Sequence, residues 1–233
     1  MYTRSAQLYD ELHHFNDYDR ASSDLLRLVR EVCPGAKTLL DAGCGTGRHL
    51  AHLDGALTVE GLDISEELLA IARHRLPEVA FHLGDMTDFD IGKTFDVVIC
   101  LFGSITYVQT RTNLERAVAC LARHVASGGI LVIEPWLSPA QYWRNHPVMN
   151  VADTPNRKIA WMYVGREQDN IVTNDYHFMV ATPDGVSHFT EQHKLGLFSD
   201  DDYGASLAAA GMAVLRKESH GFFGKGLYVA TQA

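Results

Sequence analysis

The sequence lacks the features that would place the chain in a membrane, in a disulfide framework or around a metal ion. Its longest apolar run, residues 97–102, is far shorter than the roughly 20 residues of a membrane-spanning helix. Residues 1–10 are polar and contain no apolar segment of a secretory signal. The cysteines lack the short spacing of a zinc or redox motif; they are Cys33, Cys44, Cys100 and Cys120. We therefore expect a cytoplasmic protein that binds no metal and no membrane.

Positive charge is also scarce. Twenty Lys and Arg stand against 29 Asp and Glu, which gives a formal net charge of -9. The basic residues are spread along the chain and form no stripe that could neutralise a row of phosphates, so we expect no nucleic-acid partner. With 233 residues and 46% hydrophobic content, the chain is long enough for one α/β domain with one elaboration.

Up to Trp136, apolar strand patterns alternate with amphipathic helix patterns. The predicted strands cover residues 38–41, 57–62, 79–83, 95–101 and 129–134. The first predicted helix, residues 25–32, precedes these strands; the others lie between them, at residues 49–53, from the N-cap Ser65 to Pro77, and 114–125. Because strands that alternate with helices pack as a parallel sheet, this part of the chain predicts an α/β fold.

The pattern changes between residues 158 and 197. Strand-like apolar and aromatic runs there, with a turn at Pro183-Asp184-Gly185, predict an antiparallel meander inserted into the fold. Ser199 then caps a helix that ends at Gly211, and residues 213–216 and 226–230 predict two closing strands.

A glycine-rich turn follows the first predicted strand. The segment from Asp41 to Gly47 reads Asp-Ala-Gly-Cys-Gly-Thr-Gly, and its glycines let a ligand approach the bare backbone. A dinucleotide-binding loop has its third glycine one position later, where this chain has Arg48, so a hydride-transfer enzyme fits poorly. The turn therefore predicts a nucleotide-like ligand of another kind.

Acidic residues at the next two strand ends extend this prediction. Asp63 ends the second strand, 20 residues after Gly43, where a carboxylate can accept hydrogen bonds from ribose hydroxyls. Asp85 and Met86 follow the third strand, where they suit an exocyclic amine and an adenine face. Each feature alone is also explained by an ordinary turn or helix cap, but the three together predict an adenosine site.

Four stretches of the chain resemble, in the same order, the signatures of class I S-adenosylmethionine-dependent methyltransferases. They are residues 39–47, 61–63, 84–86 and 95–101. The resemblance implies a Rossmann-like α/β fold with a mostly parallel seven-stranded sheet, whose last strand is reversed, and an antiparallel β insertion. It also implies S-adenosyl-L-methionine as the cofactor. The residues that it implies for cofactor binding are Tyr9, Tyr18, Asp41, Ala42, Gly43, Cys44, Gly45, Gly47, Asp63, Ile64, Asp85, Met86 and Leu101.

A narrower resemblance extends over nearly the whole chain, to bacterial N,N-dimethyltransferases of nucleotide-linked amino sugars. The matching stretches are Leu8-Tyr9-Asp10, Asp17-Tyr18, Phe102-Gly103-Ser104-Ile105, Glu134-Pro135-Trp136, Leu197-Phe198 and Gly224-Lys225-Gly226-Leu227. In that family an antiparallel insertion covers the sugar and supports a homodimer. The resemblance thus implies an N-terminal helical lid segment (1–36), a cofactor-binding core (37–136), the insertion (137–197) and a closing helix and hairpin (198–233).

The same resemblance guides the choice of acceptor residues. Tyr107 is the candidate catalytic residue, at a position where the resembled enzymes have a histidine. Its alternative role is an aromatic wall, since a phenol with a pKa near roughly 10 is a poor base. The candidate substrate-binding residues are His13, His14, Ser104, Glu134, Trp136 and Lys225, the last in place of a usual arginine.

The implied function is methyl transfer to a small-molecule amine, that of a nucleotide-linked amino sugar or a similar natural-product intermediate. Nucleic-acid amine methyltransferases carry an Asn- or Asp-Pro-Pro-aromatic run after the fourth strand, where this chain has Leu101-Phe102-Gly103-Ser104. The metal-ligating carboxylates of a catechol-type enzyme are also missing there. O- or C-methylation of another metabolite and a catalytically silent cofactor-binding protein remain the alternatives.

Overall fold

The strands predicted in the first part of the chain lie in one sheet with the closing hairpin. A computed structural model describes residues 2–233. The strands of this sheet are β1 (Thr38–Ala42), β2 (Thr58–Asp63), β3 (Ala80–Leu83), β4 (Phe95–Cys100), β5 (Val125–Ile133), β10 (Met212–Glu218) and β11 (Leu227–Gln232). Their order is β10-β11-β5-β4-β1-β2-β3, and only β11 runs antiparallel to its neighbours. The prediction of a seven-stranded sheet with a reversed last strand is confirmed.

Helices cover both faces of this sheet. They are α1 (Tyr9–Leu12), α2 (Tyr18–Val32), α3 (Arg48–Leu53), α4 (Glu66–Arg75), α5 (Arg111–Arg123) and α6 (Asp200–Ala209). The side chains of Ser65 and Ser199 cap α4 and α6 as predicted, and Asp202 completes a capping box with Ser199.

Two hydrophobic cores lie on the opposite faces of the sheet. Leu39 faces the core that contains Leu25 of α2, whereas Leu40 faces the core that contains Leu121 of α5. This division follows from the strand geometry, because successive side chains of a strand point to opposite faces.

One boundary differs from the prediction. Val125 was predicted on a helix stripe, but α5 ends at Arg123 and Val125 begins β5, where it pairs with Phe95. The spacing of Val125 from Leu121 suits a helix, yet His124 already caps the helix end. An apolar residue directly after a helix end is thus drawn into the neighbouring sheet.

A second, four-stranded antiparallel sheet forms the insertion. Its strands are β6 (Pro147–Asp153), β7 (Lys158–Gln168), β8 (Ile171–Thr182) and β9 (Gly185–Gly196), in that order. The meander and its turn at Pro183-Asp184 are confirmed, since Thr182 pairs with Gly185. The prediction missed β6, an edge strand that is mostly exposed and buries only Ala152.

The amino-terminal segment, residues 2–17, connects the two sheets. Leu8 and Leu12 pack in a third core with Phe178 and Phe189 of the insertion. Asp10 accepts hydrogen bonds from Thr46 of the glycine turn (2.7 Å) and from Arg75 of α4. The segment therefore lies across the carboxyl ends of β1 and β2. In the part of the chain from Tyr2 onward, no helix is long and apolar enough to span a bilayer.

Candidate active site

A cavity of about 500 Å³ opens at the carboxyl ends of β1 to β4. Its walls come from three parts of the chain. The sheet side contributes Gly43, Gly45, Leu62, Asp63, Ile64, Leu68, Gly84, Asp85, Met86, Thr87, Phe102, Gly103, Ser104, Thr106, Tyr107, Val108, Gln109, Asn113, Trp136 and Lys225; the amino-terminal segment contributes Tyr2, Tyr9 and His13; and the insertion contributes Tyr163, Tyr176 and Leu195. The volume lies in the range of about 300–1,000 Å³ found for small-molecule sites.

The glycine turn brings bare backbone to this cavity. Gly43, Gly45 and Gly47 all have positive φ, of +81°, +56° and +73°. A Cβ added to Gly43 would lie 2.7 Å from the Cβ of Ser104, so a side chain at this position has no room. The backbone nitrogens of Gly43 and Cys44 donate to the Leu62 carbonyl (2.7 and 3.0 Å), which fixes the turn against β2.

Asp63 supports this turn as well as lining the cavity. Its Oδ2 accepts a hydrogen bond from the Gly45 nitrogen (2.8 Å), and its Oδ1 accepts one from the Ser65 nitrogen (2.9 Å). Burial raises the pKa of Asp63, against the effect of these backbone hydrogen bonds. The carboxyl group is therefore held in one orientation, with lone pairs left for a ligand.

The predicted adenine-side residues lie next to Asp63. Ile64, Asp85 and Met86 line the same cavity. Asp85 is exposed, and its Oδ1 accepts a hydrogen bond from the Thr87 nitrogen (2.8 Å). The wall at this end thus combines an acidic group with apolar surface.

A smaller pocket adjoins the other end of the glycine turn. Its lining includes the predicted Tyr9, Tyr18, Asp41, Cys44 and Leu101, together with Gly43, Thr46, Arg48, His49, Phe102 and Ser104. Burial raises the pKa of Asp41 to about 8. The His49 Nδ1 lies 3.1 Å from the Ser22 hydroxyl, and its Nε2 has no hydrogen-bond partner among residues 2–233.

Two predicted cofactor residues line neither of these pockets. Ala42 is fully buried within β1, because its side chain packs in the same core as that of Leu40. Gly47 is the N-cap of α3 and faces Ala72 of α4, whose Cβ would lie 3.3 Å from an added Cβ. Ala42 is thus a buried residue of the sheet, and Gly47 is a residue at which α3 packs closely against α4.

The predicted acceptor residues are partly brought together. His13, Ser104, Tyr107, Trp136 and Lys225 all line the larger cavity. The Tyr107 hydroxyl lies 2.8 Å from Nδ1 of His193, and burial raises the pKa of Tyr107 well above the usual value of a phenol. Tyr107 is therefore a neutral phenol near pH 7 and is no general base by itself.

His14 and Glu134 do not line the cavity, in contrast to the prediction. His14 is exposed, and its Nδ1 lies 2.7 Å from the Glu11 carbonyl, because adjacent residues after α1 point in different directions. Glu134 is fully buried beneath Phe102, where its two oxygens accept hydrogen bonds from the backbone nitrogens of Phe102 (3.1 Å) and Phe223 (2.7 Å). It joins the β4 loop to the loop that carries Lys225.

Glu134 predicts a pH-dependent contribution to stability. Burial raises its pKa from about 4.5 to about 7, so its stabilising contribution is complete below pH 4.5 and is lost as the pH rises through 7. We expect the stability advantage of the wild type over Glu134→Gln to shrink by roughly 3 kcal/mol between pH 4.5 and 8. Urea unfolding of both proteins across this range measures the difference, and Glu78→Gln at an exposed carboxylate is the control. An advantage that grows with pH would contradict the assignment.

Sequence reasoning missed several cavity residues. Tyr2, Tyr163 and Tyr176 line the cavity, and His193 lies directly behind Tyr107. The period-two alternation of the predicted insertion strands was the available signal, because Tyr163 and Tyr176 lie on the same covered face as Ile159 and Phe178.

The sheet order, the glycine turn and the acidic strand ends define the class I methyltransferase fold. A sequence model of the methyltransferase-domain family matches residues 39–129. A Streptomyces fradiae protein, dTDP-3-amino-3,6-dideoxy-alpha-D-glucopyranose N,N-dimethyltransferase, is 38% identical over 90% of this chain and 84% of its own. The dTDP-3-amino-3,4,6-trideoxy-alpha-D-glucopyranose N,N-dimethyltransferase of Streptomyces venezuelae is 38% identical over 98% of both chains.

Solved structures agree with these relatives. The crystal structure of Streptomyces venezuelae DesVI is similar with a TM-score of 0.93 and 36% identity, covering 100% of both chains. The S-adenosylmethionine-bound structure of an amino pentose methyltransferase from Micromonospora echinaspora has a TM-score of 0.88 and 32% identity over 100% of this chain and 98% of that one. The chain belongs to the S-adenosylmethionine-dependent N,N-dimethyltransferase family of these proteins, and S-adenosylmethionine is its methyl donor.

Proposed function

We propose that the protein methylates the amine of a dTDP-linked amino sugar. The observation that carries this proposal is the single cavity that joins the glycine turn and Asp63 to Tyr107 and Lys225. Relatives that match almost the whole chain, insertion included, are named for such acceptors. The acceptor is a small molecule and not a nucleic acid, in keeping with the net charge of -9.

The residues at the sheet end of the cavity fit S-adenosylmethionine. The turn at Gly43 and Gly45 offers backbone that a Cβ would cover, and Asp63 has lone pairs for ribose hydroxyls. We assign Asp85 to the exocyclic amine of adenine and Ile64 and Met86 to its faces. Tyr9, Tyr18 and the small pocket at Asp41 suit the methionine end. When bound, the cofactor supplies an electrophilic methyl group on a sulfonium.

The opposite end of the cavity is assigned to the acceptor. Lys225 provides a positive charge for a diphosphate, while Ser104 and Trp136 offer a hydroxyl and an apolar face to the sugar. The acceptor nitrogen must arrive neutral, because its lone pair forms the new bond, and alignment of that lone pair is the main demand on the protein. Each transfer leaves an ammonium that releases a proton before another transfer.

The test is methylation of defined acceptors. The purified protein, S-adenosylmethionine and dTDP-3-amino-3,6-dideoxyglucose should yield mono- and dimethylated sugar nucleotide, detected by mass spectrometry. The matched 3-hydroxy sugar nucleotide should remain unmodified. Methylation of phenols or hydroxy sugars alone, or no turnover of any amino sugar in a panel of 3- and 4-amino sugar nucleotides, would overturn the proposal.

We also propose that the protein is a homodimer that meets across the outer face of the insertion. This face carries six exposed apolar side chains from four neighbouring strands: Met149, Val151, Met162, Val164, Met179 and Val186. Its apolar centre can lie against its own copy without bringing like charges together, whereas the chain as a whole is acidic.

A charge on this face should abolish the dimer. In Met179→Lys, two-fold symmetry brings lysines of both copies to one interface, so we expect a monomer in sedimentation equilibrium. Val214→Lys, at an exposed valine of β10, should leave the dimer intact. A wild-type protein that is monomeric at all concentrations would contradict the proposal.

A further inference from the structure

Tyr107, in the wall of the cavity at the acceptor end, forms a hydrogen-bonded pair with His193, which is buried behind it. Tyr107 lines the cavity, and its hydroxyl lies 2.8 Å from Nδ1 of His193 on β9. His193 is only 3% exposed and does not line the cavity. The rings of Tyr2 and Tyr176 pack edge-on against the imidazole, with centroids at 4.7 and 4.9 Å, and hold it in one orientation.

The imidazole is neutral, because burial lowers the pKa of His193 to about 4. Its other nitrogen, Nε2, has no hydrogen-bond partner among residues 2–233 and lies 3.7 Å from Oε2 of Glu191. A neutral imidazole carries one proton, and a negative charge beside Nε2 favours the proton on that nitrogen. Nδ1 is then left with a lone pair.

The carboxylate that sets this choice is held ionised by the amino-terminal segment. Oε1 of Glu191 accepts hydrogen bonds from the Thr3 hydroxyl (2.8 Å) and the Ser5 nitrogen (3.0 Å), and the Ser5 hydroxyl donates to Oε2. Burial acts to raise the pKa of Glu191, but these hydrogen bonds outweigh it and the pKa lies below its usual value. The charge beside His193 is therefore present at neutral pH.

With its lone pair at Nδ1, His193 accepts the only proton of the Tyr107 hydroxyl. A phenol oxygen can donate one hydrogen bond and accept two, so the lone pairs of the Tyr107 oxygen remain available to a donor in the cavity. Without His193 the Tyr107 proton could rotate into the cavity and repel a donor.

We propose that His193 is a positioning residue that makes the Tyr107 oxygen an obligate acceptor for an N–H of the substrate amine. The proposal rests on the proposed function. When one N–H of the amine donates a hydrogen bond to Tyr107, the nitrogen lone pair turns away from Tyr107. It then points toward the end of the cavity assigned to S-adenosylmethionine, the methyl donor. A neutral primary or secondary amine has such an N–H, whereas a neutral tertiary amine has none. The same contact therefore serves two methylations and fails for a third.

The tautomer of His193 can be tested without any acceptor. In ¹⁵N-histidine-labelled full-length protein at pH 7, long-range ¹H–¹⁵N spectra should show a neutral His193 with its proton on Nε2. Tyr107→Phe should shift the ¹⁵N resonance of Nδ1 toward the value of an unprotonated nitrogen that accepts no hydrogen bond. A proton on Nδ1, or a charged imidazolium, would overturn the proposal whether or not the protein methylates sugars.

Kinetics then test the role of the pair, with dTDP-3-amino-3,6-dideoxyglucose as acceptor. Tyr107→Phe and His193→Phe should each lower kcat/KM about tenfold, the effect of losing one hydrogen bond, with unchanged S-adenosylmethionine affinity. The double variant should be no worse than Tyr107→Phe, because His193 acts through Tyr107. His193→Asn, whose side-chain oxygen can replace Nδ1, should restore most of the activity.

Additive losses in the double variant, or full activity of Tyr107→Phe, would refute the role of the pair. Absence of turnover by the wild type with every amino sugar nucleotide contradicts the proposed function instead. In that case the histidine spectrum alone decides the hydrogen-bond direction, so the two failures are distinguishable.

Discussion

Asp63→Asn is expected to weaken the binding of S-adenosylmethionine about 100-fold. The carboxylate accepts hydrogen bonds from the backbone nitrogens of Gly45 and Ser65, and it is the proposed ribose contact. An amide of the same size has only one acceptor oxygen, so at least one of these N–H groups faces another donor. Two perturbed hydrogen bonds at about 1–1.5 kcal/mol each give this magnitude.

Calorimetric titration of the cofactor measures the loss, and thermal unfolding without cofactor separates it from a change in stability. Asp88→Asn, at an exposed carboxylate past the next strand end, is the matched control and should bind normally. An unchanged dissociation constant in Asp63→Asn would remove the ribose assignment.

Gly43→Ala is expected to have an effect of similar size on binding and to destabilise the fold. An alanine at φ +81° costs about 1–2 kcal/mol, and its Cβ would lie 2.7 Å from the Ser104 Cβ and 3.0 Å from its Oγ. Relief of this clash displaces the turn against which the cofactor lies, so we expect cofactor binding to be lost in calorimetry and the urea midpoint to fall.

Two control variants divide this effect into its parts. Gly55→Ala has nearly the same φ, +85°, with nothing within 4 Å of the added Cβ, so it reports the backbone cost alone. Ser104→Gly combined with Gly43→Ala removes the clashing atoms and should recover much of the binding. Equal behaviour of Gly43→Ala and Gly55→Ala would show that the close packing at Ser104 is irrelevant.

Local signals in the sequence were enough for most of the fold. Caps such as Ser65 and Ser199 and apolar alternation depend on residues close together in the chain, and the structure reproduces them. The misses have other causes. Val125 fits a helix stripe by spacing but pairs with Phe95, 30 residues away, and β6 has too little buried surface for an apolar pattern.

The part of the site that depends on local sequence signals was also predictable. The glycine turn and Asp63 follow from their strands, and the structure brings them to one cavity with Tyr107 and Lys225. Contacts between residues far apart in the chain were not predictable. The Glu134 carboxyl group accepts a hydrogen bond from the Phe223 backbone nitrogen, and the Tyr107 hydroxyl is hydrogen-bonded to His193, 86 residues later. The first contact depends on how the loop between β10 and β11 meets the end of β5, and the second on how the insertion docks; no local spacing encodes either.

The hydrogen bonds between Glu191 and the amino-terminal segment have a reciprocal consequence. Donors at Thr3 and Ser5 lower the proton affinity of Glu191, so by thermodynamic linkage the ionised carboxylate tightens the hold on that segment by the same free energy. This contribution is present above the usual carboxyl pKa and is lost as the pH falls through the lowered value. The charge of Glu191 thus acts at two places: it holds the amino-terminal segment, and it sets the direction in which the Tyr107 hydroxyl donates its proton.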